Sequence, residues 1–222
     1  MEEGFGDVKT VKTVKFSLKK FEKHTLKIRP IFLDAKPAKS AVTGNLKTRK
    51  TCLCDRWKET GPPVPPAGSK KASYVFIASD PGQQEVENGE PFWPDAPGGR
   101  VFEEYLDVLG LDRSSVYITN VCFCRGRNNR PPTPDEVISC ARFHMNEYKE
   151  LTGVKYYIPL GSVAFRLITG VYSTITPYVG GYFDAELFKR KVKIIPIHHP
   201  GYVLRRPKEK ANILELLEKL VS

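Results

Sequence analysis

Long apolar runs are absent from this sequence, and none of its apolar segments is long enough to cross a lipid bilayer. Its first residues, Met1-Glu2-Glu3-Gly4, are acidic and lack the basic and apolar parts of a signal peptide. We therefore expect a soluble, intracellular protein of the cytoplasm that has no membrane partner. No Gly-x-Gly-x-x-Gly motif or P-loop follows the first predicted strand, which argues against a generic nucleotide-binding module.

Cysteine is scarce, and its spacing argues against a disulfide framework. The chain has five cysteines, and they are Cys52, Cys54, Cys122, Cys124 and Cys140. An odd number of cysteines in tight clusters is a poor set for disulfide pairing in an intracellular protein. Metal ligation fits the spacing better.

Acidic residues are too few to balance the basic ones. The sequence has 35 Lys and Arg against 25 Asp and Glu, a net charge of +10 and a pI near 9.3, which indicate a polyanionic partner. Residues 1–60 carry close to +8 of this charge. An arm that attracts phosphates and a solvated, partly disordered tail both account for this distribution. We assign residues 1–38 to a basic N-terminal extension and residues 39–222 to one domain.

The length and the periodicities predict an α/β fold. A chain of 222 residues with 41% hydrophobic content can bury one sizeable core. Alternating patterns predict strands near 74–78, 116–121, 156–160 and 191–197, and helices near 101–109, 134–151, 162–168 and 208–221. We expect a three-layer α/β/α sandwich around a short, mainly parallel four-stranded sheet. The proline-rich segment 61–69 is expected to be an extended connector that cannot pair in a sheet.

Polar side chains follow three of the predicted strands. Asp80 comes after the first strand, Asn120 lies at the end of the second, and His199 follows the last. Because ligands bind at the carboxyl ends of the strands in such sheets, we expect these three side chains to converge on one cleft.

Six ordered motifs lie between Ser79 and Arg205, within a stretch of similarity that runs from about Cys52 to the C-terminus. They are Ser79-Asp80-Pro81-Gly82 with Gly89-Glu90-Pro91-Phe92, Val116 to Val121, Cys124-Arg125, Thr133-Pro134-Asp135-Glu136, Pro159-Leu160-Gly161 and His199-Pro200-Gly201-Tyr202-Val203-Leu204-Arg205. Together they resemble the uracil-DNA glycosylase superfamily, most closely its iron–sulfur-cluster (family-four) branch of thermophilic bacteria and archaea. The resemblance implies a monomeric base-excision-repair enzyme that flips uracil out of DNA and hydrolyses the N-glycosidic bond.

The resemblance also assigns roles around the base. Phe92 matches the aromatic residue that stacks on uracil, and Asn120 matches the residue that recognises its O4 and N3–H edge. His199 matches the histidine that donates to O2 of the departing base, where negative charge develops. The residues alone also allow Asn120 to be a strand-end turn residue and His199 to be an interior histidine that is satisfied by a backbone carbonyl.

The first motif departs from the iron–sulfur branch. That branch has Glu followed by a small residue where this chain has Ser79 and Asp80, and Asp80 instead resembles the catalytic carboxylate of the branch with a Gln-Asp-Pro-Tyr motif. Such a carboxylate orients water and stabilises an oxocarbenium ion; a turn-forming Asp before Pro is the alternative. Gly82 replaces the tyrosine that excludes thymine in that branch, which leaves Gln83, Gln84 and Glu85 as the nearest candidates in the sequence.

The cysteines match the iron–sulfur branch with one deviation. The resemblance implies that Cys52, Cys54, Cys124 and Cys140 hold a [4Fe–4S] cluster, with Cys122 as a spare residue. The family's first pair is Cys-x-x-Cys, whereas this chain has Cys52-Leu53-Cys54. A structural zinc ion and the absence of any metal remain alternatives.

DNA contacts are expected on both sides of the cleft. One basic loop carries Arg125, Arg127 and Arg130, and Arg205 follows His199. Val203 and Leu204 correspond to the family's wedge, which fills the space left by the flipped base. Two roles stay open for residues 1–38: contact with DNA, and docking of a replication or repair protein. Two other functions stay open: a catalytically inactive DNA-binding homologue, and a glycosylase for another deaminated base such as hypoxanthine.

Overall fold

The structure, a computed structural model, describes residues 21–25, 28–36 and 53–222. In these ranges seven strands form one sheet in the order β1-β6-β7-β5-β3-β4-β2. The strands are β1 (Glu22–Lys23), β2 (Ala67–Gly68), β3 (Tyr74–Ala78), β4 (Tyr117–Asn120), β5 (Tyr156–Pro159), β6 (Gly181–Leu187) and β7 (Arg190–Ile194). The central strands β7, β5, β3 and β4 are parallel, which confirms the predicted core of the sheet.

The sheet is wider than predicted, because three further strands extend its edges. β6 pairs antiparallel with β7, β1 pairs parallel with β6, and β2 pairs antiparallel with β4. β6 alternates between buried and exposed residues, so it lacks the continuous apolar run that identified the central strands. The expectation that residues 61–69 cannot pair is wrong, since Ala67 and Gly68 pair with β4. An edge position tolerates the neighbouring prolines because only one side of the strand needs hydrogen bonds.

Helices cover both faces of the sheet, as the predicted three-layer sandwich requires. They are α1 (Trp57–Thr60), α2 (Gln83–Asn88), α3 (Pro97–Val108), α4 (Pro134–Glu150), α5 (Ser162–Thr169), α6 (Pro200–Val203) and α7 (Pro207–Val221). Val75 and Ile77 of β3 lie in a core shared with α4 and α5. Phe76 and Ala78 lie in a second core with α3 and α7, so β3 is buried on both faces.

The start of α4 has the predicted cap. The Thr133 side chain accepts a hydrogen bond from the Glu136 N–H, the Glu136 side chain accepts one from the Thr133 N–H, and Pro134 occupies the first turn. This capping box fixes the loop that precedes α4, which borders the candidate site.

Part of the N-terminal segment packs on the domain. Phe32, in a short 3-10 helix (Ile31–Asp34), is fully buried, and its ring lies 5.0 Å from that of Tyr148 in α4. Residues 1–20, 26–27 and 37–52, which include Cys52, lie outside the described residues. Among the described residues, no helix is both long enough and apolar enough to cross a membrane.

Candidate active site

The carboxyl ends of the parallel strands bring the predicted site residues to one edge of the sheet. β3 and β4 pair so that Ala78 lies opposite Asn120, and Asp80 follows two residues later. On the other side, Leu160 pairs with Ile197, and Gly161 then lies against His199. The predicted convergence of Asp80, Asn120 and His199 on this edge therefore agrees with the strand register.

Asn120 has an unusual environment for an amide. Its side chain is 1% exposed, yet neither Oδ1 nor Nδ2 has a hydrogen-bond partner among the residues that the structure describes. A buried polar group without a partner costs ~1–3 kcal/mol, so such groups are rare unless a ligand or water completes them. The amide therefore presents one free donor and one free acceptor to a planar ligand.

Phe92 provides an aromatic surface beside His199. Its ring stacks on Phe102 with centroids 4.4 Å apart and lies 5.5 Å from the imidazole of His199. A planar base could therefore stack only on the ring face opposite Phe102. The backbone of Phe92 has a positive φ of 49°, which is unfavourable for a bulky side chain.

The side chains of Glu85 and Arg113 hold this strained backbone. The Glu85 carboxylate accepts the N–H of Phe92. Arg113 donates to the carbonyl of Phe92 over 3.1 Å and to the carbonyl of Pro91 over 2.6 Å. Sequence analysis did not identify Arg113, because nothing in its local pattern relates it to a turn 21 residues earlier.

His199 is held as a neutral hydrogen-bond donor. Its Nδ1 accepts the Gly201 N–H over 3.0 Å, so in the neutral ring the proton must lie on Nε2. Desolvation lowers the pKa of His199 to about 4, so the ring stays neutral at physiological pH. The neighbouring His198 is instead buried against Tyr202, 4.7 Å away.

Asp80 does not stand alone, because it forms an ion pair with Arg56. The Arg56 Nη2 lies 2.5 Å from Asp80 Oδ2, and the Asp80 side chain is 16% exposed. Burial raises the pKa of Asp80, while the Ser79 hydroxyl and the Arg56 guanidinium act in the opposite direction. Arg56 was not predicted from the sequence, where its one signal is that an Asp in a buried turn needs a counter-charge.

Glu85 is the only one of the three candidates for thymine exclusion that is not exposed. Gln83 and Gln84 face solvent. The Glu85 carboxylate also accepts the N–H of Gly82, and a Cβ atom at Gly82 would lie 3.4 Å from Glu85 Oε1. Burial raises the pKa of Glu85 to about 7. Glu85 therefore occupies the space into which a side chain at position 82 would project.

The thiols of Cys54, Cys122 and Cys140 lie close together. The Cys140 thiol forms hydrogen bonds with Cys122 and Cys54, and these contacts and burial raise its pKa. Cys124 is also buried, and its carbonyl accepts from Arg56 over 2.7 Å. Cys52 lies outside the described residues. Within the part of the chain that the structure describes, no group of three or more side chains has metal-site geometry.

The predicted DNA-contact residues differ in their availability. Arg127 and Arg205 are exposed, and Arg125 is engaged with the side chain of Asn129. Arg130 forms ion pairs with Glu59 and Glu136.

Burial excludes one of the two residues that were predicted to form the wedge. Val203 is fully buried in the core, whereas Leu204 is 44% exposed. Of this pair, only Leu204 has a side chain that is available for insertion into a base stack.

Comparisons with known proteins place the chain in one enzyme superfamily. Residues 65–221 match the family model described as the Uracil DNA glycosylase superfamily. The chain is 39% identical over 158 residues to a type-4 uracil-DNA glycosylase of Archaeoglobus fulgidus, which covers 69% of this chain and 78% of that protein. It is 34% identical over 158 residues to the type-4 enzyme of Thermotoga maritima, with coverages of 70% and 79%. The type-4 enzyme of Saccharolobus solfataricus is 30% identical over 166 residues, with coverages of 72% and 76%.

Proposed function

The chain belongs to the uracil-DNA glycosylase superfamily, and from this premise we propose that it flips uracil out of DNA and hydrolyses the N-glycosidic bond, leaving an abasic site. The observation that carries the proposal is the buried, unpartnered amide of Asn120 at the strand edge that also holds Asp80 and His199. Uracil presents an acceptor, O4, next to a donor, N3–H, which is the pattern this amide can satisfy.

Extrusion of the base costs a few kcal/mol, which the site must recover. Stacking on Phe92 supplies ~1–3 kcal/mol per base, and the pairing of Asn120 with uracil removes the cost of its unpaired amide. Because Phe92 is fixed by Glu85 and Arg113, little ordering of the ring is needed when the base arrives.

Departure of uracil places negative charge on the base. The Nε2–H of His199 donates to O2 of uracil, and this hydrogen bond strengthens as the charge develops. The Nδ1 contact with Gly201 fixes both the tautomer and the ring orientation. A neutral histidine stabilises the anion without transferring its proton.

On the sugar side, Asp80 supplies the carboxylate. In its ionised form it orients the attacking water and stabilises the positive charge that develops on the sugar. Burial raises the pKa of Asp80, and the Ser79 hydroxyl and Arg56 oppose this rise in favour of the ionised form.

In this proposal, Glu85 is the residue that excludes thymine from the site. Its carboxylate fills the space above Gly82, so the 5-methyl group of thymine would meet it if the base lies over that turn. One methyl group supports only ~10–200-fold discrimination, which a single steric contact can provide.

We propose that the cysteines hold a [4Fe–4S] cluster, as the family resemblance implies. The proximity of Cys54 and Cys140 supports a thiolate site here, with Cys124 and Cys52 as the other predicted ligands and Cys122 as an adjacent spare residue. When bound, such a group would supply a structural crosslink between the segment before α1 and the segment from β4 to α4.

Metal analysis tests this part of the proposal directly. Anaerobically purified protein is expected to contain about four iron atoms and four sulfides per chain, and Cys140→Ser is expected to lose them. Cys52→Ser and Cys122→Ser form a matched pair. Because Cys52 belongs to the predicted ligand set and Cys122 does not, we expect only Cys52→Ser to lose iron and sulfide. Zinc in place of iron, or no metal, would contradict the cluster.

DNA is held by loops around the site in this proposal. Arg125, Arg127 and Arg205 contact phosphates, and Leu204 fills the space of the flipped base. We propose that the basic residues of 1–38 add attraction to DNA or dock a repair protein. The monomeric state and the cytoplasmic location of the protein stay predictions from the sequence.

The test is a labelled oligonucleotide with one uracil, treated with alkali after incubation with the protein. We expect cleavage at the uracil by the wild type and a loss of ~10²–10⁴-fold in rate for Asp80→Asn and His199→Ala. DNA binding without base release, unchanged in both variants, would favour an inactive DNA-binding homologue instead.

A further inference from the structure

Arg56 is a fully buried arginine beneath the candidate site. Its side chain is 0% exposed, which costs several kcal/mol for a charged group unless its donors are satisfied. It lies at the start of α1, between the cysteine segment and the first turn of the sheet edge. An arginine here needs an explanation beyond packing, because an apolar side chain would fill the same space at lower cost.

The guanidinium contacts five groups from three parts of the chain. Nε donates to the Cys124 carbonyl over 2.7 Å, and Nη1 donates to Glu136 over 2.9 Å and to the Pro131 carbonyl over 3.4 Å. Nη2 donates to Asp80 and, over 3.1 Å, to the Arg130 carbonyl. Arg56 thus fixes Asp80 relative to the segment after β4 and the start of α4.

The two carboxylates that share Arg56 depend on it unequally. Glu136 also forms an ion pair with Arg130 over 2.6 Å and accepts the Thr133 N–H over 2.8 Å. Asp80 has no second basic partner among the described residues. Loss of Arg56 would therefore leave Glu136 paired and Asp80 without a counter-charge.

We propose that Arg56 is a positioning residue that orients the Asp80 carboxylate toward the reacting sugar and supplies its counter-charge. This inference rests on the proposed function. The Arg56 fork restricts Asp80 more strongly than a lysine could, because a guanidinium binds several acceptors in a fixed plane.

The pH dependence of the reaction follows from the charges around Asp80. These are Arg56, Glu136 and Glu85, together with the Ser79 hydroxyl. Burial and Glu136 raise the pKa of Asp80, and Arg56 lowers it. Removal of Arg56 therefore moves the acidic limb of the rate profile to higher pH.

The experiment measures single-turnover rates of uracil release at saturating enzyme between pH 5 and pH 9. It compares wild type, Arg56→Gln, Asp80→Asn and the double variant. We expect Asp80→Asn and Arg56→Gln each to lose at least ~10-fold, with the acidic limb shifted upward in Arg56→Gln. The double variant should be no slower than Asp80→Asn by more than about threefold, because the two residues act as one unit.

Arg190→Gln is the matched control. Arg190 also donates to two backbone carbonyls, those of Leu151 and Lys149, but at a distance from the site. Its rate profile is expected to match that of wild type. If Arg56→Gln fails to fold, Arg56→Lys replaces it. This variant keeps the counter-charge and loses the planar fork, so its rate is expected to fall while the acidic limb stays in place, and an unchanged rate would overturn the proposal.

The other outcomes distinguish failure of the proposed role of Arg56 from failure of the proposed glycosylase function. If Arg56→Gln lowers the rate by the same factor in the wild type and in Asp80→Asn, its role is purely structural, and the proposal is overturned. An unchanged rate in Asp80→Asn would overturn it while leaving the glycosylase function intact. No uracil release by wild type would contradict the function itself, and the inference with it.

Discussion

On the β3 side of the site, Asp80 lies in a network of ion pairs with Arg56, Glu136 and Arg130, whereas on the opposite side His199 lies against the ring of Phe92. Burial raises the pKa of Asp80 and Arg56 opposes this rise, whereas burial lowers the pKa of His199 and keeps its ring neutral. Hydrolysis of a glycosidic bond needs a charged and a neutral group at once, since positive charge develops on the sugar and negative charge on the base.

The largest expected effect tests the neutral side. His199→Ala should lower the single-turnover rate by ~10²–10³-fold at pH 7, because it removes the donor to the departing base. His198→Ala, which changes the neighbouring histidine, should have little effect. A large loss in His198→Ala with normal activity in His199→Ala would exchange the roles of the two residues.

The next effect concerns the boundary between the two sides, where Glu85 lies beside Gly82. Glu85→Ala should raise the ratio of thymine release to uracil release ~10-fold, because it opens the space for a methyl group. The ratio is the readout, since loss of the Phe92 N–H contact also slows uracil release. Gln84→Ala, at an exposed neighbour, is the control, and an unchanged ratio in Glu85→Ala would remove Glu85 from thymine exclusion.

A smaller effect is expected at the backbone of Phe92. Arg113→Met removes the donors to the Pro91 and Phe92 carbonyls and should raise the enzyme concentration at half-saturation ~3–10-fold. Glu103→Gln alters a different partner of Arg113 and keeps both carbonyl contacts. Equal affinities of Arg113→Met and wild type would show that the left-handed backbone of Phe92 needs no such support.

The smallest effect is on stability. The pKa of His199, about 4 in the folded protein, lies below its ordinary value near 6.5, so the unfolded chain takes up a proton first as the pH falls. The free energy of unfolding therefore decreases from about pH 6.5 to pH 4, and His199→Gln should lessen this loss by up to ~1 kcal/mol per pH unit. Urea unfolding at several pH values measures it, with the fully buried His144 as a second example. An unchanged slope would mean that His199 is not desolvated.

The central strands and the capped helix α4 were predictable from the sequence because their signals are local. A run such as Tyr74-Val75-Phe76-Ile77-Ala78 and the Thr133–Glu136 capping box depend only on neighbouring residues. The roles of Asp80, Asn120 and His199 were predicted from a family resemblance and stay predictions, while the register of β3 and β4 places Asn120 opposite Ala78, two residues before Asp80.

The supporting residues were not predictable, because their partners are distant in sequence. Arg56 contacts groups 24 to 80 residues away, and Arg113 contacts a turn 21 residues before it. In the sequence, a charged residue next to a cysteine pair cannot be distinguished from an exposed charged residue. Only the fold shows that Arg56 is buried. The edge strand β6 was missed for a related reason, since the exposed Asp184 and Glu186 break its apolar run.

Base release from duplexes that differ only in one base, which is uracil, thymine, cytosine or hypoxanthine, is the most direct test of uracil recognition by Asn120. The freed base is identified by chromatography for wild type and for Asn120→Ala under single-turnover conditions. We expect uracil alone to be released by wild type, and Asn120→Ala to lose this activity while it still folds. Preferential release of hypoxanthine, or equal release of uracil by both proteins, would contradict recognition of uracil by the buried amide of Asn120.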